Sequence, residues 1–201
     1  MTFQGITLPI NLELSSKSKA LLDFLRSLET DAPATPPKPT TSPTPPAIGE
    51  YWAGQGGRYI CTLPALLGMP ERHLIVGDGE AEDLTFGPVA DVSGATSQID
   101  GAANTKALLG HGEHPAAQWA SEYAADGHTD FFLPARLDMV MAHICAAKIF
   151  KTSGWYWTST QISRRDAFVQ VFENGFSFWG SKGHEHRARA FRVIPLNPLN
   201  T

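Results

Sequence analysis

The sequence predicts an α+β domain with two helices and a late antiparallel sheet, preceded by an N-terminal arm and helix and a Pro-rich linker. Three observations carry this. The run Ala32 to Pro46 is mostly Pro, Thr, Ala and Ser and cannot build a core, which divides the chain into an N-terminal segment 1–30, a linker 31–47 and one domain 48–201. The chain is 42% hydrophobic but carries 18 glycines and 15 prolines, enough apolar material for a core and too much turn chemistry for a helical bundle. From Trp155 onward the apolar pattern changes from a helical period to a period of two.

The elements follow in order. Ile6 to Leu14 alternates apolar and polar residues and reads as an extended arm with one apolar face. Ser15 or Ser16 caps a helix to about Glu29, on which Leu21, Leu22, Leu25 and Leu28 form a stripe. A helix this short needs a partner, so the stripe is predicted to anchor the chain, in a homo-oligomer, a trimer above all, or in a larger particle. The linker prolines predict a semi-rigid spacer of about 3.1 Å per residue that projects the domain outward.

Within the domain, Arg58 to Leu63 reads as a strand and His73 to Val76 as its partner. Gln118 to Ala125 is predicted as a helix with Trp119, Ala120 and Tyr123 inward. Pro134 starts a second helix, with Leu137, Val140, Met141, Ile144 and Cys145 facing the core. Strands are predicted at Trp155 to Thr160, Ala167 to Phe172, Phe176 to Trp179 and Arg189 to Ile194, with Glu173-Asn174-Gly175 as a hairpin turn.

The net charge of -4 is spread along the chain, which excludes the basic footprint of a nucleic-acid binder. No apolar run approaches the roughly 20 residues of a membrane span, and residues 1–14 lack the pattern of a secretory signal, so assembly in a cytoplasm is expected. Cys61 and Cys145 have no metal or redox spacing. Buried free thiols and one long-range disulfide both remain open. Asp78, Glu80, Glu82 and Asp83 form an acidic cluster without calcium-loop spacing and read as a solvated loop. His111 with His114, and His184 with His186, read as surface histidines, so neither metal nor cofactor is expected. No nucleophile elbow accompanies the Ser, His and Asp residues, and the expectation is a protein that is not an enzyme.

The late strands are rich in aromatic residues, of which alternation places half or more in the core. The polar residues between them, with Trp179, are the candidate ligand surface: Arg164, Arg165, Lys182, His184, Glu185, His186 and Arg187.

A set of motifs now carries a resemblance: Phe131-Phe132-Leu133-Pro134-Ala135-Arg136, Trp157-Thr158-Ser159-Thr160, Phe172-Glu173-Asn174-Gly175 and Arg189-Ala190-Phe191-Arg192-Val193-Ile194. In this order they resemble the Lcl C-terminal-like family over about Gly49 to Pro195, with Phe132 and Ala135 departing from its usual Trp and Thr. The resemblance implies a C-type-lectin-like fold whose late sheet presents the ligand face. The opening Gly49-Glu50-Tyr51-Trp52 with Gly54-Gln55-Gly56-Gly57 resembles members encoded by tailed bacteriophages. That implies a virion protein docked on other virion structural proteins through residues 1–30 and displaying its domain to a host-surface glycan or protein. A decoration protein without a receptor role is the alternative. A formylglycine-generating-type enzyme would use a close cysteine pair, whereas Cys61 and Cys145 lie 84 positions apart (145 − 61).

Overall fold

The structure, a computed structural model, describes residues 43–196. The arm, the stripe of Leu21, Leu22, Leu25 and Leu28, and the linker before residue 43 lie outside the described residues. Strands β1 (Tyr51–Trp52), β2 (Gly57–Leu63) and β3 (Arg72–Thr85) come first, then helices α1 (Gly101–His111), α2 (Pro115–Glu122) and α3 (Arg136–Ala146) with a 3-10 turn at Ala147–Ile149. Strands β4 (Trp155–Gln161), β5 (Asp166–Val171), β6 (Ser177–Ser181) and β7 (Glu185–Pro195) complete the order.

All seven strands form one sheet in the order β1-β2-β3-β7-β4-β5-β6. The domain is α+β as predicted, but the late strands do not make a separate antiparallel sheet. β7 lies centrally, antiparallel to β3 and parallel to β4 through Tyr156 and Arg187. Its run Ala188, Arg189, Ala190, Phe191 is buried throughout, so it needs a neighbour on each edge and a layer on each face.

The predicted pairing of β2 with His73 to Val76 is present, with Tyr59 opposite Ile75 and Leu63 opposite Arg72. β3 then runs on to Thr85, which corrects the acidic loop: Asp78, Glu80, Glu82 and Asp83 lie on a strand. Residues 78, 80 and 82 recur at a period of two, the strand signal that the charge obscured.

Helix α1 was not anticipated. Asp100 caps it by accepting a hydrogen bond from Ala103 N at 2.9 Å, but the residues it buries are Gly101, Asn104, Thr105 and Leu108, which make no apolar stripe. Close approach matters more than greasiness here: a Cβ on Gly101 would sit 2.7 Å from Ala135 N. Helix α2 begins at Pro115, three residues ahead of the predicted Gln118 (118 − 115), because proline fits a first helical position. α3 begins beside Pro134 as expected, yet its inward face is Asp138, Met139, Ala142 and Ala146, while Ile144 is 67% exposed. The helix is rotated because buried Asp138 accepts from Ala135 N at 2.8 Å and the two alanines let it lie close on the sheet.

The Trp157-Thr158-Ser159-Thr160 motif is fully buried and its hydroxyls are internal ties. Thr158 Oγ1 donates to Phe168 O (2.9 Å), Ser159 Oγ to Pro134 O (3.1 Å) and Thr160 Oγ1 to Ser97 O (2.8 Å). Phe132 exchanges backbone hydrogen bonds with Phe191. These motifs therefore hold the helices on the sheet. One apolar cluster joins Leu108, Ala117, Ala120, Leu133, Trp157 and Ala190. A second joins Ile60, Leu74, Met139, Ala142, Tyr156 and Phe191.

Candidate functional site

Where β3 ends and β7 begins, Thr85 stands opposite Glu185 and Leu84 opposite His186. The turn Gly183-His184 leads into β7, and Gly154-Trp155 opens β4 alongside. These segments enclose an open cleft of about 740 Å³ lined by Glu82, Asp83, Gly154, Trp155 and residues 183–187.

One wall is aromatic. Trp155 is 38% exposed, its ring centroid 6.1 Å from that of Phe178 and 5.1 Å from that of His186. Phe178 stacks in turn on Trp179, at 4.3 Å and 18°, and Trp179 is 56% exposed. Tyr156 and Trp157 point to opposite faces of the sheet and are both core because each face is covered, Trp157 in the first apolar cluster and Tyr156 with Phe172 in the second.

The cleft is also charged: Glu82 and Arg187 line it and are tied to Lys151 and Glu80 beside it. Lys151 Nζ lies 2.9 Å from Glu80 Oε1 and 2.5 Å from Glu82 Oε1, and Arg187 Nε lies 3.4 and 3.2 Å from the same two oxygens. Arg187 also donates to Ser153 O, and Tyr156 OH donates to Glu80 Oε2 at 2.5 Å. Hydrogen bonds from Lys151 and Arg187 hold the Glu82 carboxyl below its ordinary range, and those same carboxylates raise Lys151. Burial and the bond to Glu80 push the Tyr156 hydroxyl up. His186 is driven down to about 4, first by burial and then by His184, so near neutral pH it is an uncharged ring packed 4.6 Å from Trp157. Its buried Nε2 has no hydrogen-bond partner among the described residues. Asp83 and Glu185 are exposed and make no ion pair among the described residues.

Of the residues predicted to bind ligand, the structure brings His184, Glu185, His186 and Arg187 into the cleft and places Trp179 beside its aromatic wall. Arg164 and Arg165 are exposed in the β4–β5 turn and do not line it. Lys182 is a correction: it is fully buried, donating to Ala90 O and Gln161 Oε1 at 2.6 Å each, and burial lowers its pKa. The surface reading of the histidines also fails for His114, which is fully buried with Nδ1 at 2.9 Å from Phe86 O, and for His186, which is only partly exposed. Trp155 stood among the aromatic candidates, but Glu82 and Asp83 were missed as lining residues because their approach to residues 183–187 is set by strand pairing across the domain.

No protein-family model matches the chain, and no curated protein matches it. Among solved structures the chain has a distant similarity to a fimbrial protein from Bacteroides ovatus ATCC 8483, at 14% identity and a TM-score of 0.45. The likeness covers 82% of this chain and 40% of that one, so the chain spans well under two thirds of the other protein's length.

Proposed function

We propose that this chain is a non-catalytic attachment protein whose domain presents the Trp155 cleft to a saccharide on a surface. The observation that carries the reading is the pairing of a solvent-facing indole with two carboxylates, Asp83 and Glu185, that have no internal ion-pair partner among the described residues. A pyranose ring has one apolar C–H face and a rim of hydroxyls. The face packs on an aromatic ring, and carboxylates accept the hydroxyl hydrogens. Ion pairs to Lys151 and Glu80 hold the lining residues Glu82 and Arg187 in place, which limits the entropy lost on binding.

The broader setting is part of the same proposal. We read the domain as C-type-lectin-like and the protein as a component of a tailed-phage virion, held to other virion proteins through residues 1–30. The motif resemblance and the Pro-rich spacer support that reading. Mass spectrometry of purified particles tests the setting separately from the cleft.

The binding test uses the full chain on a glycan array, followed by calorimetry with the best saccharide. Trp155→Ala is expected to weaken binding at least about tenfold, a loss in the range of one aromatic stacking contact. Arg164→Ala, in the turn outside the cleft, leaves it unchanged. Equal binding by Trp155→Ala and the parent chain, or cleavage of the bound saccharide, refutes the reading.

A further inference from the structure

Away from the cleft, β2 carries an irregularity with a chemical consequence. Tyr59 is opposite Ile75 and Cys61 is opposite Leu74, so two steps along β2 match one step along β3: a β-bulge. In a regular strand Tyr59 and Cys61 would share a face. Instead Tyr59 packs with Trp52 and Ile75, whereas Cys61 joins Ile60, Leu63 and Met139 in the cluster under α3. On α3, Met141 and Cys145 lie one helical turn apart and pack against that same cluster. The bulge thus puts Cys61 in the cluster against which Cys145 packs, and the neighbouring Cys145 thiol helps to raise the Cys61 pKa. Both are free in this structure, Cys61 buried and Cys145 half-buried.

We infer that Cys61 and Cys145 form an intramolecular disulfide when the folded domain meets an oxidising exterior. The oxidant is a low-molecular-weight disulfide. The Cys145 thiolate, the more accessible of the two, attacks one sulfur of the oxidant; its S–S bond breaks and one small thiolate leaves. Cys61 loses its proton and attacks the Cys145 sulfur of the mixed disulfide, expelling the second small thiolate. Two protein thiols are oxidised to one disulfide, one small disulfide is reduced to two thiols, and the two protein protons end on those thiols. The crosslink ties β2 to α3 across 84 positions (145 − 61), with β3, α1 and α2 inside the closed loop. Burial and the neighbouring thiol push Cys61 up to about 12, so the second step is slow near neutral pH and accelerates in mild alkali.

The experiment treats the folded full chain with glutathione disulfide at mildly alkaline pH, followed by intact-mass analysis, thiol titration and non-reducing peptide mapping. The expected result is loss of both thiols without a retained glutathione, a peptide joining Cys61 to Cys145, and a melting temperature raised by roughly 5–15 °C. Cys61→Ser should keep glutathione on Cys145, for want of the second thiol. In Cys145→Ser, Cys61 should stay unmodified because it is buried. A parent chain that keeps a stable glutathione adduct, forms disulfide-linked dimers, or retains both thiols overturns the inference. None of these outcomes bears on saccharide binding at the cleft.

Discussion

Replacing Lys182 and replacing Gln161 should have unequal effects, although the two side chains share one hydrogen bond. Gln161 Oε1 accepts from Lys182 Nζ at 2.6 Å and also from Val92 N at 3.0 Å. Gln161→Leu removes both bonds. It loses a charge-assisted bond of about 1.5–3 kcal/mol and strands a buried N–H at a further 1–3 kcal/mol, for a total of roughly 3–6 kcal/mol. Lys182→Met keeps most of the apolar stem beside Phe86 while removing the ammonium. The two lost bonds are then largely offset by the desolvation penalty, several kcal/mol, that a buried ammonium carries. Ala90 O is only partly shielded and regains water, and Gln161 keeps its bond to Val92 N. The net effect of Lys182→Met should stay within about 2 kcal/mol. Urea denaturation at neutral pH measures both, and the glutamine variant should be the less stable by roughly 2–4 kcal/mol. Because burial lowers the folded pKa of Lys182 below 10.5, the folded state releases its proton first. Stability should therefore rise with pH between that folded value and 10.5, a rise that Lys182→Met abolishes. If Lys182→Met loses as much stability as Gln161→Leu, the ammonium is a net stabilising group and the reasoning fails.

Two further outcomes follow from buried geometry. Asp138 is raised from 3.8 to about 7, chiefly by burial, so its carboxyl is protonated in the folded chain while ionised in the unfolded one across that window. This contribution is present below 3.8 and falls as pH rises to about 7, by roughly 4 kcal/mol in all; Asp138→Asn keeps an oxygen for Ala135 N and should flatten the decline in melting temperature between those limits. A Cβ at Gly57 would lie 2.4 Å from Val76 O, a backbone atom of the partner strand. Gly57→Ala is thus expected to cost about 1–3 kcal/mol by thermal melting, and an unchanged melting temperature would show that β2 and β3 can separate locally without penalty.

The period-two strands were legible in the sequence because alternation and a hairpin turn are local signals, and β2, β4, β5, β6 and β7 fall where they were read. α1 was not, since its packing uses a glycine, Asn104 and Thr105 held by Ser97, Ser159 and Leu133. The central place of β7 was also hidden: strand order in the sheet depends on which residues remote in sequence meet, and a single parallel bridge joins β7 to β4. The site was half legible. His184 and Arg187 stood out as polar residues between strands, but the same rule promoted Lys182, whose turn Gly180-Ser181-Lys182-Gly183 reads as exposed. Only the arrival of Ala90 and Gln161 gives that ammonium acceptors inside the protein.

Why Asp83 faces the cleft unpaired while its neighbour Glu82 is tied down is answered by the same kind of irregularity that positions Cys61. Ala81 is opposite Ala188 and Leu84 is opposite His186, so three steps along β3 match two along β7. The extra residue is accommodated at Asp83, whose φ of 55° lies in the left-handed region that aspartate tolerates better than most residues. Without the bulge, residues 82 and 84 would share a face and so would 81 and 83. With it, Leu84 turns toward the core beside Trp157, whose Nε1 donates to Leu84 O at 2.7 Å, and Glu82 reaches Lys151 and Arg187. Asp83 is left pointing to solvent at the lip of the cleft, on a backbone held at both ends by strand pairing. One irregularity in β3 thereby divides two adjacent carboxylates between a structural role and a free one.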